Sequence, residues 1–185
     1  MKIKLLYIVS HPIQYQAPLL RYIGKDPEID LFVIFEKTFK DQKFFDKGFS
    51  VPIQWDVDLT TGYKFCSLDE MDKVNEKVLN ADIVWIHGWD SYFKRKTLRF
   101  AKKNKIPVLM RGENTQKSMP DGWGIKGLLK RLYLKKIFDN CDGFLCIGSE
   151  NKDYYLKHGV LKEKLFFMPY TVDNNFFQER AAAAS

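Results

Sequence analysis

KIKLLYIVSHPIQYQAPLL, residues 2–20, is an apolar run, a polar turn and a helix start in immediate succession. Lys2 to Val9 is short and rich in Ile, Leu, Val and Tyr, and reads as a buried strand of a parallel sheet. Ser10 to Gln16 forms a loop with a His and two Gln, and Pro18 with Leu19-Leu20-Arg21-Tyr22-Ile23 opens a helix. Strand, loop and helix make the first unit of a doubly wound α/β domain. Ligands of such domains sit beyond the carboxyl ends of the strands, where this loop belongs.

The same alternation continues outward. Leu31 to Phe35 is a second buried strand, Tyr63 to Phe65 a short third, and Asp69 to Asn80 a helix with Met71, Val74, Val78 and Leu79 at helical spacing. Asp82 to His87 (DIVWIH) is the clearest central strand after the first, and a basic helix follows over Tyr92 to Asn104. Ile106 to Met110 is the next strand. The helix Ile125 to Phe138 then sets Ile125, Leu128, Leu129, Leu132, Ile137 and Phe138 on one broad face. Lys126, Lys130, Arg131, Lys135 and Lys136 take the other, predicting an amphipathic basic helix. Gly143 to Ile147 is a strand, Ser149 caps a helix through Lys157, and Leu165 to Met168 is the last strand. Glu36 to Thr61 reads as a long loop with one extended piece over Val51 to Asp56. The pattern predicts an α/β, Rossmann-like three-layer domain: a mostly parallel sheet, right-handed crossovers and helices on both faces.

A chain of 185 residues, 45% hydrophobic and 29% charged, has the balance of one folded domain. The net charge of +7 suits an anionic ligand, an anionic membrane surface or nucleic acid. Nucleic acid is the weakest of these, because the Lys and Arg lie on helix exteriors and no recognised binding motif is present. Cys66, Cys141 and Cys146 have no metal or redox spacing and read as small buried apolar residues of a reducing compartment. No signal peptide precedes the first strand and no apolar run approaches the ~20 residues that span a bilayer, so the expected location is cytoplasmic.

Polar residues gather where strands end. His11, His87 with Gly88, Trp89 and Asp90, Arg111 with Glu113 and Asn114, and Ser149 with Glu150 all follow strands. In a parallel sheet these ends share one edge and converge on one cleft, although polar loop residues belong at strand ends in any case. His11 can hold a hydroxyl or phosphate or act as an acid or base, or it simply holds its own loop. His87 is the stronger candidate, with Gly88 letting a ligand approach the backbone. Arg111 with Glu113 is either an internal ion pair or an anion-holding Arg beside a base. The three His lie too far apart for a metal site, and no nucleophile elbow, Walker loop or GxGxxG occurs, so no metal or cofactor is expected.

The segments KIKLLYIVSHPIQYQAPLLRYI, DIVWIHGW, IPVLMRGENT, CDGFLCIGSENKDYYLKHGV and KLFFMPYTVDNNFF, in this order, resemble the N-terminal domain of retaining glycosyltransferases of family 4, which have the GT-B fold. The resemblance implies a Rossmann-like acceptor-side domain over 1–170. Residues 171–185 would begin the crossover into a C-terminal, donor-binding domain. It implies transfer of a sugar from a nucleoside diphosphate to a hydroxyl of a sugar or lipid-linked acceptor, at the cytoplasmic side of a membrane if the basic helices dock there. The domain alone is expected to be inactive.

Two departures from the family pattern matter. His11 to Gln16 lacks the Gly-Gly of many relatives, and Arg111-Gly112-Glu113 stands where many carry a His. His87 and Glu113 therefore become the catalytic candidates. His11, Gln14, Tyr15, Gly88, Trp89, Arg111, Asn114, Ser149 and Glu150 become the substrate-binding ones. A sugar-nucleotide epimerase of related architecture and a non-catalytic sugar- or nucleotide-binding module are the alternatives.

Overall fold

The computed structural model describes residues 1–37, 43–46, 51–54, 58–70 and 73–183, with backbone alone at 43–46, 51–54 and 70. In chain order the elements are β1 (Ile3–Val9), α1 (Ala17–Gly24), β2 (Ile29–Phe35), β3 (Lys43–Asp46), β4 (Val51–Gln54), β5 (Lys64–Ser67), α2 (Val74–Leu79) and β6 (Ile83–His87). They continue with α3 (Tyr92–Lys103), β7 (Val108–Arg111), α4 (Gly124–Phe138), β8 (Gly143–Cys146), α5 (Ser149–Lys157), β9 (Leu165–Phe167) and α6 (Asn174–Ala183).

Seven strands form one sheet in the order β5-β2-β1-β6-β7-β8-β9, and every pair in it is parallel. The order runs one way from β1 through β2 to β5 and the other way through β6 to β9. The direction of winding therefore reverses between β1 and β6. Their carboxyl ends flank the crevice that doubly wound sheets offer to ligands.

Alternation along the strands divides the core in two. Leu6 and Ile8 of β1, Val84 and Ile86 of β6, Val108 and Met110 of β7, and Phe144 of β8 face Val78, Leu98, Leu134, Phe138 and Tyr155 from α2 to α5. Tyr7 and Val9, Val33 and Phe35, and Trp85 face Leu20 of α1 on the other side. Helices lie on both faces, four of them on the first.

Four local expectations change. The helix expected over 69–80 is a 3₁₀ turn at Leu68–Glu70 followed by the shorter α2, with Met71 outside the described residues. Within 36–61, β3 and β4 pair as an antiparallel hairpin; residues 38–42, 47–50 and 55–57 of the expected loop, the end of its extended piece included, lie outside the described residues. Ser149 is the first residue of α5 rather than its cap; Gly148 holds the cap position. There the Asn151 carboxamide reaches back to accept from the Ile147 N–H.

The largest change is in α4. Gly127, Leu134, Ile137 and Phe138 are buried, whereas Ile125, Leu128, Leu129 and Leu132 are exposed. At 100° per residue the two sets form stripes on opposite sides of the helix. Gly127 decides which one docks: a Cβ there would lie 2.6 Å from the Gly122 carbonyl oxygen, so only glycine lets this side approach its own loop.

Candidate active site

His87 ends β6 at the switch point, in register with Arg111 at the end of β7. The next residue, Gly88, has φ 79° and donates its N–H to the Arg111 carbonyl at 2.7 Å. A side chain at that φ would be strained, and its Cβ would meet the Asp90 carboxylate at 3.0 Å. The turn thus holds the imidazole at the mouth of the crevice.

Two buried groups fix the ring. Gln16 Nε2 lies 3.1 Å from His87 Nδ1, and the Tyr7 hydroxyl donates to Gln16 Oε1 at 2.9 Å while standing 3.1 Å from the same Nδ1. An amide N–H can only donate, so Nδ1 accepts and the ring proton sits on Nε2. Burial, and then the Arg111 charge, hold His87 well below the usual imidazole range, at about 4. At neutral pH it is a neutral imidazole whose Nε2–H faces the crevice.

Across from Nε2, at 3.9 Å, is Glu113 Oε1. That oxygen accepts from the Tyr15 hydroxyl at 3.0 Å and from the Tyr170 hydroxyl. The two rings meet edge to face with centroids 4.7 Å apart, and burial raises the pKa of both phenols. The carboxylate is therefore oriented by two neutral donors, and the gap to His87 is too long for a direct hydrogen bond. A ligand hydroxyl on the crevice side of the pair, at the apex of a triangle about 2.8 Å from each atom and not on the line between them, would accept from Nε2–H and donate to the carboxylate.

Arg111 is fully buried beneath this pair. Strand alternation sends it to the side opposite Met110, under the Tyr170 ring at 4.4 Å, with Nη2 directed at the Met168 and Pro169 carbonyls at 3.3 Å. Its Nε and Nη1 have no hydrogen-bond partner. No ion pair links Arg111 to Glu113 among the described residues, so the charge is shared with no carboxylate. Lys94 of α3 adds a second buried cation, held by Asp90 at 2.8 Å and Glu36 at 3.7 Å. Burial opposes ionisation of Asp90, but the hydrogen bond and the charge of Lys94 act together against it, and this carboxyl stays below its usual range. His11 bonds Ser10 Oγ through Nδ1 at 2.8 Å; burial, then Lys37 and Lys94, lower its pKa.

The structure thus brings His87, Gly88, Glu113, Tyr15 and Arg111 together, with His11 on the neighbouring turn. The other candidates lie elsewhere. Trp89 turns away to the α4 side of the core, its ring 6.5 Å from that of Tyr133. Asn114 bonds within its own loop to Met119 and offers its carbonyl to Asn151. Ser149 and Glu150 are exposed on α5, with Glu150 paired to Lys117 at 2.6 Å. Gln14 lines a separate cavity of about 540 Å³ with Pro18, Arg21, Val172 and Phe177; Tyr15 lines it too, while its hydroxyl donates to Glu113.

Tyr7, Gln16, Lys94 and Tyr170 join the site without having been expected there. Tyr7 had a visible signal: a hydroxyl in an otherwise aliphatic central strand needs a buried partner. Lys94 sat unmarked in a run of basic residues, and Tyr170 arrives from far along the chain. Among the described residues no group of three or more His, Cys, Asp or Glu could hold a metal ion.

The sequence matches no protein-family model and no curated protein. Solved structures do match. The chain is similar to HepE of Anabaena, solved with UDP and glucose, at 9% identity and a TM-score of 0.56, over 95% of this chain and 46% of that one. It is similar to a UDP-N-acetylglucosamine 2-epimerase at 19% identity and a TM-score of 0.54, over 92% and 49%. It is also similar to the lipopolysaccharide outer core galactosyltransferase WaaB in its apo form, at 12% and 0.53, over 92% and 47%. The chain spans about half the length of these structures. At such identities the likeness establishes the fold: an α/β, Rossmann-like domain of the kind that makes up one half of GT-B proteins.

Proposed function

We propose that this domain is the acceptor-side half of a family 4, retaining glycosyltransferase that moves a sugar from a nucleoside diphosphate to an acceptor hydroxyl. The observation that carries the reading is the His87–Glu113 gap of 3.9 Å at the switch point, with an oriented carboxylate on one side and a fixed N–H donor on the other. The acceptor hydroxyl sits over that pair, on its crevice side, and gives its proton to Glu113 as its oxygen bonds the anomeric carbon on the same face that the diphosphate leaves, as retention without a covalent intermediate requires. The bond from that carbon to the diphosphate breaks, and the departing oxygen carries negative charge. Positive charge at this edge, from buried Arg111, favours that departure. In this reading His11, on the neighbouring turn, donates to a phosphate oxygen. No covalent intermediate is assigned to a protein group.

In this reading residues 1–170 form the acceptor-side domain, and 171–185 lead towards a second domain that holds most of the nucleotide. In support, α6 buries none of its residues and Val172 and Phe177 are exposed. The domain by itself does not turn over. The likeness to an epimerase supplies a second reading, in which the same edge isomerises a sugar nucleotide.

The test uses the protein isolated from its own cells, given radiolabelled UDP- and GDP-sugars with and without a membrane and polysaccharide extract. Transfer of label into the extract, cut about a hundredfold or more by His87→Ala and by Glu113→Gln, is the expected result. An altered sugar nucleotide formed without extract would replace transfer by epimerisation. Label left on intact donor in every condition would leave a binding module.

A further inference from the structure

Glu113 Oε1 is the carboxylate oxygen that faces His87 Nε2, at 3.9 Å. A carboxylate oxygen offers about two lone-pair sites. Both are taken here, one by the Tyr15 hydroxyl at 3.0 Å and the other by the Tyr170 hydroxyl. Burial raises the pKa of both phenols, so both stay protonated and donate. A ligand hydroxyl that joins His87 to Oε1 therefore cannot donate to that oxygen until one phenol leaves it. The two tyrosines are held differently. Tyr15 lies inside a closed turn, where the Gln16 and Ala17 N–H groups both donate to the Ile13 carbonyl at 3.0 Å. Gln16 beside it is locked in turn to Tyr7 and His87. Tyr170 belongs to the segment 168–173, which lies outside every helix and strand, and is 36% exposed. Its side chain meets Glu113, the Tyr15 ring and the Arg111 guanidinium, the last 4.4 Å from the ring centroid. The same segment runs on into α6, which buries none of its residues.

We infer that Tyr170 is a gate: its hydroxyl stands in for the ligand hydroxyl on Glu113, and Oε1 becomes free only when this phenol swings out. The same movement lifts the ring off Arg111, so the carboxylate and the cation are uncovered together. The class of ligand that opens the gate is a polyol such as a sugar. One of its hydroxyls replaces the bond from Tyr170 to Oε1 and also accepts from His87 Nε2–H, while its other hydroxyls add contacts in the crevice. Water offers the first two bonds but nothing further to offset the lost stacking of Tyr170 on Arg111, so the gate stays shut to it. A shut gate protects the donor. With Oε1 open and no acceptor bound, water would give its proton to Glu113 as its oxygen bonds the anomeric carbon and the diphosphate leaves, and the donor would be lost without transfer. That consequence rests on the transferase reading; the gate does not.

The experiment compares the native protein with Tyr170→Phe, which keeps the ring on Arg111 and removes only the hydroxyl. In the chain itself, D-glucose is titrated while the His87 ring is followed by NMR. Tyr170→Phe binds glucose about tenfold or more tighter, the effect of one hydrogen bond to a charged group that no longer has to be broken. In the protein made in its own cells and given radiolabelled UDP- and GDP-sugars without extract, Tyr170→Phe releases free sugar about tenfold or more faster than the native form. With extract, the amount needed for half-maximal transfer falls. Equal or weaker glucose binding by Tyr170→Phe, or glucose that leaves the His87 ring unmoved in both forms, would overturn the gate. So would loss of transfer in the variant, which would make the hydroxyl a positioning group for Glu113. Tighter glucose binding by the variant with no sugar chemistry in either form would remove the transferase reading and leave the gate. Transfer by both forms with glucose binding and sugar release unchanged would remove the gate alone.

Discussion

His87 shows how a single side chain acquires a role from what surrounds it. Its Nδ1 is occupied by Gln16 and its ring is buried against Arg111, so the proton belongs on Nε2 and the ring resists a second one. Because the folded pKa is about 4 and the ordinary imidazole value is 6.5, the unfolded chain binds more protons between those limits. The His87 contribution to stability is therefore complete above pH 6.5 and is lost as the pH falls towards 4. It amounts to roughly 3 kcal/mol across that window. Measuring unfolding of the chain and of His87→Gln by denaturant at several pH values checks the sign: the gap between them widens as pH rises. A ring titration near 6.5 by NMR would contradict the burial. At this scale the sequence was partly legible. The ends of β6 and β7 could be aligned from the strand pattern, which is why His87 and Glu113 could be expected at one edge, where they lie 3.9 Å apart. Where a side chain points depends on alternation and turn geometry, and that is why Trp89 and Asn114 belong elsewhere and Tyr7 and Gln16 were missed.

Helix α4 makes the corresponding point for an element. Apolar spacing of 3 and 4 residues identifies a stripe, and α4 has two of them on opposite sides. Sequence periodicity merged Ile125, Leu128, Leu129 and Leu132 with Ile137 and Phe138 into one broad face. The choice between stripes was made by tertiary contact, above all the close approach of Gly127 to Gly122. The strands were easier to read, because a parallel sheet covered on both faces leaves near-continuous apolar runs. A pair of substitutions separates the stripes. Leu134→Ala removes a fully buried side chain and costs about 2–5 kcal/mol. Leu132→Ser changes stability by about 0.5 kcal/mol or less. Thermal unfolding of the two variants reads the difference, and equal losses would place both residues in the core.

For the whole molecule, the reversal of winding between β1 and β6 is what turns scattered polar residues into one crevice. That reversal was legible as alternating strands and helices, but the identity of β1 and β6 as neighbours emerged only from the sheet order. The same architecture sets α4, with its exposed Ile125, Leu128, Leu129 and Leu132, beside the crevice. Among the described residues no helix is long and apolar enough to cross a membrane. The opposite edge of the sheet also has a cavity, of about 790 Å³, lined by Lys4, Asp30, Lys64 and Lys77. It lies at the amino end of the strands, where doubly wound sheets do not place their ligands.

In the proposed function a sugar nucleotide is met in the carboxyl-edge crevice around His87 and Glu113. The most direct measurement is a titration of the isotopically labelled chain with UDP and with UDP-glucose at millimolar concentration, followed by amide and imidazole NMR. Shifts concentrated at residues 11–16, 87–90, 111–113 and 168–170, with the His87 ring among the largest, are the expected result. Shifts at Lys4, Lys64 and Lys77 instead, or none anywhere, would contradict it.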